Sequence, residues 1–127
     1  MNKKILWFAL LAILVGFLMQ AKDARSETVN RETPDIRTYS IERVLEKWGG
    51  GQWTYLNELI YRESKWNPLA QNPKSSAFGL CQFLNSTWEG EKTSDPYKQI
   101  DECLVYIVNR YGTPEKALRF HDKHNWY

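Results

Sequence analysis

The chain has 127 residues, a formal charge of +2, 43% hydrophobic and 25% charged residues. That length supplies one domain with a modest core and excludes a larger architecture. Setting aside Lys3 and Lys4 with the apolar leader leaves fifteen basic against fifteen acidic residues, a balance that gives nucleic acid no electrostatic hold.

Lys3 and Lys4 form a basic head, Ile5 to Met19 is almost uninterrupted apolar sequence, and Ala21 or Ala24 offers a small residue for cleavage. This is the layout of a secretory signal. The apolar run is long for a signal and short for a span, which needs about 20 residues. Residues 1–24 therefore read as a signal peptide or as an anchor that holds residues 5–19 in the inner membrane. Either makes the protein exported, periplasmic or extracellular. No Cys follows the run, which argues against a lipid anchor. Residues 25–38 are polar, without period, and read as an exposed linker. The folded domain is expected over residues 39–127.

In that domain, Ile41, Val44, Leu45 and Trp48 recur at helical spacing, with Ser40 as N-cap and Gly49-Gly50-Gly51 as stop. Thr54 opens a second helix whose stripe is Leu56, Leu59 and Ile60. Position i+7 of that stripe is Glu63, an acid where the pattern asks for a buried side chain. It also lies in the last turn, since Asn67-Pro68 cannot continue the helix. Burial and the negative end of the helix dipole both raise a carboxyl pKa there. An acid that keeps its proton near neutrality can protonate a leaving group.

Residues 67–76 carry the Asn, Pro and Ser of a loop. Phe78 to Leu84, broken by Gly79 and Gln82, reads as a strand or an extended loop. Ser86-Thr87-Trp88-Glu89 has the form of a capping box on a short helix. Asp95-Pro96 starts the longest helix, with Ile100, Leu104, Ile107, Val108 and Tyr111 on one face and Gly112 at its end. Thr113-Pro114 caps a last helix containing Ala117 and Leu118. The expected fold is mainly α: five or so short helices with at most a small β element.

Cys81 and Cys103 are the only cysteines. An exported chain permits a bridge between them, while the apolar face that holds Cys103 equally suits a buried thiol. His121 and His124, spaced i, i+3, lack a third ligand at matched spacing and read as surface histidines, not a metal site. No cofactor is expected. Five Trp follow the leader, and most are expected to fill the core. Trp66, just after Glu63, is the one nominated to stack on a ligand.

Four ordered motifs now stand together: Glu63-Ser64, Asn67-Pro68-Leu69-Ala70, Gly79-Leu80-Cys81-Gln82 and Ser86-Thr87-Trp88. In them the chain resembles the lytic transglycosylase (SLT) domain family of the lysozyme-like superfamily. The likeness continues through Gln99-Ile100, Tyr106-Ile107, Arg110-Tyr111-Gly112 and the closing Asn-Trp-Tyr, and covers residues 40–127. It implies a monomeric α+β lysozyme-like domain acting on peptidoglycan between N-acetylmuramic acid and N-acetylglucosamine. It implies Glu63 as the acid that protonates the glycosidic oxygen. Glu63 would then act as base on the muramoyl C6 hydroxyl and close a 1,6-anhydro ring. Ser64, Gln82 and Tyr106 carry over as groups that orient Glu63 or hold the sugar. The family's A-Y-N tyrosine is missing, because the chain reads Ala117-Leu118-Arg119-Phe120-His121 there. Tyr106, Tyr111 or Tyr127 would have to replace its hydroxyl. The absence of an obvious second carboxylate fits one acid that reverses its role. A hydrolytic muramidase of the same fold, and a non-catalytic glycan-binding or structural module of a secretion apparatus or virion, are the alternatives.

Overall fold

In the computed structural model, residues 33–127 are described, and the leader, its anchor or signal reading and most of the linker lie outside them. No helix among the described residues is long and apolar enough to cross a membrane. Residues 34–127 form one unit, and in it four helices hold the core: α1 (Ile36–Trp48), α2 (Trp53–Ser64), α3 (Pro96–Tyr111) and α4 (Pro114–His124).

Helix α1 begins a turn before Ser40. The carboxylate of Asp35 accepts from the backbone N–H groups of Arg37 and Thr38, satisfying two of the donors that every helix start leaves free. Ser40 is instead buried within the helix, its hydroxyl donating to the Ile36 carbonyl at 2.6 Å. Val44 is fully buried, while Leu45, expected on the same face, is 48% exposed. The helix is fastened to α3 through Asp101, which accepts from both Tyr39 Oη and Arg43 Nε.

Helix α2 buries Leu56, Leu59 and Ile60 completely, each worth about 1.5–3 kcal/mol relative to exposure. Its start lacks a side-chain cap. The side chain of Gln52, at the cap position, accepts from the Glu115 N–H at 3.0 Å and so serves the start of α4. The end of α2 is abrupt, with Lys65 and Trp66 both left-handed at φ 51° and 63°. Two consecutive non-glycine residues in that region are uncommon, and they turn the chain back under the helix.

Helices α3 and α4 begin and end as their sequences dictate. Asp95 and Thr113 cap their starts, each followed by Pro, and Gly112 leaves α3 at φ 83°. Between α2 and α3 the backbone makes only isolated bridges, Gln71 with Phe78 and Phe78 with Phe83. Ser86-Thr87-Trp88-Glu89 is not a helix but a turn, closed by Thr87 N–H on the Leu84 carbonyl. Phe83 and Trp88 meet edge to face at 5.5 Å, a packing contact that outweighs the capping signal.

One polar side chain holds this loop region to the helices. Gln99, only 2% exposed, accepts from the Leu80 N–H and donates to the carbonyls of Pro68 and Thr93. Cys81 and Cys103 are joined in a disulfide with their Cα atoms 6.2 Å apart. The bridge and Gln99 both fix the Gly79–Gln82 turn against α3.

Candidate active site

Glu63 leaves the last turn of α2 and lines a cleft of about 430 Å³ together with Gln82, Tyr106, Arg110, Trp126 and Tyr127. Its side chain is 16% exposed. Among the described residues no other Asp or Glu lines this cleft. Burial pushes the Glu63 carboxyl above its ordinary value, while His121 pulls it back through its charge and its hydrogen bond.

His121 is the residue whose role the sequence concealed. Its Nε2 lies 2.8 Å from Oε1 of Glu63, and its side chain is 13% exposed. The surface position expected for it is therefore corrected: packing of α4 on α2 turns the imidazole inward. The residue before Glu63 and the residue after His121 repeat the pairing, since Arg62 bonds both Glu58 and Asp122. His124 diverges from His121. It stacks on Phe120 at 4.0 Å with Nδ1 on the Phe120 carbonyl, so the two rings do not converge on a common point. Among the described residues there is no cluster suited to a metal ion.

Of the other residues expected at the site, two line the cleft and two do not. Gln82 does, at a left-handed φ of 51°. Its amide N–H groups are spent on the carbonyls of Ala70 and Gly79, which shapes the wall. Tyr106 also lines the cleft, its hydroxyl donating to the Tyr127 carbonyl and accepting from Arg110. Ser64 is buried and donates to the Ile60 carbonyl at 3.2 Å. Trp66 is 8% exposed, tilted against Trp53, with its indole N–H on Asn57. The left-handed turn at Lys65–Trp66 aims that ring into the core.

Phe120 cannot supply a hydroxyl, and the contact to Glu63 is made by its neighbour His121. Of the three tyrosines that could have taken the place, Tyr127 feels the acid most directly. Burial, and then the Glu63 charge, hold its phenol well above the ordinary range. Its hydroxyl donates to the Cys81 carbonyl at 3.1 Å. Tyr111 is pushed up to about 12, by burial first and then by Tyr106.

A larger hollow, of about 560 Å³, lies between residues 89–94 and α3 and is lined by Glu89, Glu91, Lys92, Lys98, Asp101 and Glu102. Asp101 is already engaged by Tyr39 and Arg43. Among the described residues, the only acid with both burial and an imidazole partner is in the smaller cleft.

Residues 41–116 match the family described as Transglycosylase SLT domain. Proteins named endo-type membrane-bound lytic murein transglycosylase A, from Salmonella typhimurium, Salmonella enteritidis and Salmonella choleraesuis, are each 30% identical over 122 aligned residues. The match takes in 82% of this chain and 59% of theirs, so the chain spans little more than half the length of these relatives. No solved structure matches. With a family match over more than half its length, and with its half-buried acid in a cleft, the chain belongs to the transglycosylase SLT domain family.

Proposed function

We propose that this domain is a peptidoglycan lytic transglycosylase that cleaves the glycosidic bond between N-acetylmuramic acid and N-acetylglucosamine. The observation that carries the reading is a cleft lined, among the described residues, by a single carboxyl group, the half-buried Glu63. A two-carboxylate glycosidase needs a second acid at about 5–10 Å, and among the described residues none lines this cleft.

The chemistry follows from one proton. Glu63, whose proton burial helps to retain, donates it to the oxygen that leaves with the departing sugar. Positive charge builds at the muramoyl C1, and Glu63 is left as a carboxylate facing His121. That carboxylate takes the proton of the muramoyl C6 hydroxyl, whose oxygen closes on C1. The acid is regenerated and no water is consumed. Tyr106 and Gln82 flank the sugar in this reading. The family and the printed name of the Salmonella relatives, membrane-bound murein transglycosylases, support it, and they support export with attachment through residues 5–19.

Mass spectrometry of digested peptidoglycan tests the proposal. Anhydro-muramoyl ends are expected, and reducing ends bearing the elements of water would assign a hydrolytic muramidase instead. Glu63→Gln fills the same space but has no proton to transfer, so its rate should drop at least about a hundredfold with the fold intact. Undiminished wall clearing by that variant would remove Glu63 from the chemistry, and a parent protein that binds glycan without releasing any product would be a binding module.

A further inference from the structure

Arg110 is the one residue of the cleft whose charge the proposed reaction does not use. It stands near the end of α3 and lines the same cleft as Glu63. Four aromatic rings hold its guanidinium: Trp126 at 5.2 Å, Tyr111 at 5.6 Å, Tyr106 at 5.7 Å and Phe120 at 6.0 Å. One N–H donates to Tyr106 Oη at 2.9 Å. Arg43, Arg62 and Arg119 pair with carboxylates, whereas Arg110 forms no ion pair among the described residues.

A guanidinium has five N–H donors in a planar fork that suits a carboxylate. Here four rings surround the group, one donor is spent on Tyr106, and the exposed Arg110 side chain lines the cleft. Holding the group in place beforehand reduces the ordering cost of binding an anion. Glu63 does not supply that anion, since its partner is His121.

We propose that Arg110 is a recognition site for a carboxylate of the peptide attached to the muramoyl lactyl group, the D-glutamyl α-carboxylate being nearest along that peptide. The assignment rests on the reading of the cleft as a peptidoglycan site. It makes the domain select peptide-bearing over stripped glycan. The sugar next to the scissile bond carries the peptide, and Arg110 lines the same cleft as the acid that would act on that bond. Trp126, 50% exposed, walls the approach to Arg110.

Binding rather than turnover tests this. Three soluble disaccharides of N-acetylglucosamine and reduced N-acetylmuramic acid are titrated into the protein and followed by NMR. One carries L-alanyl-D-glutamate with the γ-carboxyl amidated, one carries the same dipeptide with both carboxyls amidated, and one has no peptide and its lactyl carboxyl capped as an amide. The first should bind roughly five- to tenfold tighter than the other two, with a margin that shrinks as salt rises. Arg110→Gln should erase that margin and Arg110→Lys should keep part of it. Equal binding of the three ligands by the parent, or a margin that survives in Arg110→Gln, would overturn the proposal. If Arg110→Gln fails to fold, the parent's discrimination between the first two ligands still decides. None of these readings depends on which product the enzyme makes, so a hydrolytic or inactive outcome for Glu63 is told apart from failure at Arg110.

Discussion

Glu63 sits between two opposed influences, burial that favours its neutral form and His121 that favours its charge. Removing the imidazole should therefore move its pKa further up. In His121→Ala the alkaline limb of the kcat/KM profile is expected to shift to higher pH, while kcat falls because the carboxyl is no longer oriented. His121→Gln should restore orientation without the charge. An unmoved limb in both variants would take His121 out of the proton inventory, and the limb itself belongs to the pair rather than to either residue. The same raised pKa fixes a stability trend. Below the ordinary value of 4.5, folded and unfolded chains both hold the proton. Above it the unfolded chain releases its proton first, so the stabilising contribution of Glu63 is lost as pH rises through the folded pKa. The melting temperature of Glu63→Gln relative to the parent should accordingly climb with pH from about 4.5. A constant offset would mean the carboxyl is ordinary. Glu63 could be read from the sequence because its neighbours Leu56, Leu59 and Ile60 define a stripe locally. His121 could not, since its contact joins residues from two separate helices, and an i, i+3 pair of histidines looks the same on a wet face as on a buried one. Trp66 was hidden for another reason. Its direction depends on a positive φ at a non-glycine residue, which no side-chain pattern announces.

At the scale of elements, the turn Gly79–Gln82 decides the shape of the cleft wall, and Gln99 decides the turn. A methyl group on Gly79 would lie 2.7 Å from Gln99 Oε1, on a backbone at φ +84°. Both effects oppose Gly79→Ala, so that variant should lose about 2–4 kcal/mol and open the Leu80–Gln99 hydrogen bond. Gln99→Leu keeps the volume but leaves the Leu80 N–H and two carbonyls without partners, and a loss of about 2–3 kcal/mol is expected by urea unfolding. A near-neutral Gln99→Leu would show that water replaces the amide. Helix positions were legible where a cap and a stop agreed, as at Asp95-Pro96 and Gly112 for α3. They were misplaced where two residues competed as cap. Asp35 and Ser40 are both competent, and Asp35 wins because Ile36 and Tyr39 then pack on the core. The Ser86–Glu89 segment had local helix chemistry, but Asn85 is claimed by Ser76 and Trp88 by Phe83.

Across the whole molecule, α4 and the closing residues complete the cleft that α2 begins. His121 comes from α4, while Tyr127 reaches back to the Cys81 carbonyl and, at 3.6 Å, to Cys103 Sγ. The disulfide spans 22 residues of sequence and by loop closure should contribute roughly 3 kcal/mol. Reduction, or Cys81→Ala with Cys103→Ala, should lower the denaturation midpoint by a corresponding amount and reduce cleavage more than binding. Unchanged stability on reduction would show that Gln99 alone suffices. This bridge also ties the chemistry to geography. A chain newly made in a reducing cytoplasm would carry two thiols and a loosely held cleft wall. Under the proposed function, crossing to the oxidising side would seal the wall only where murein is within reach, so an activity that cuts the cell's own casing would mature at its place of work.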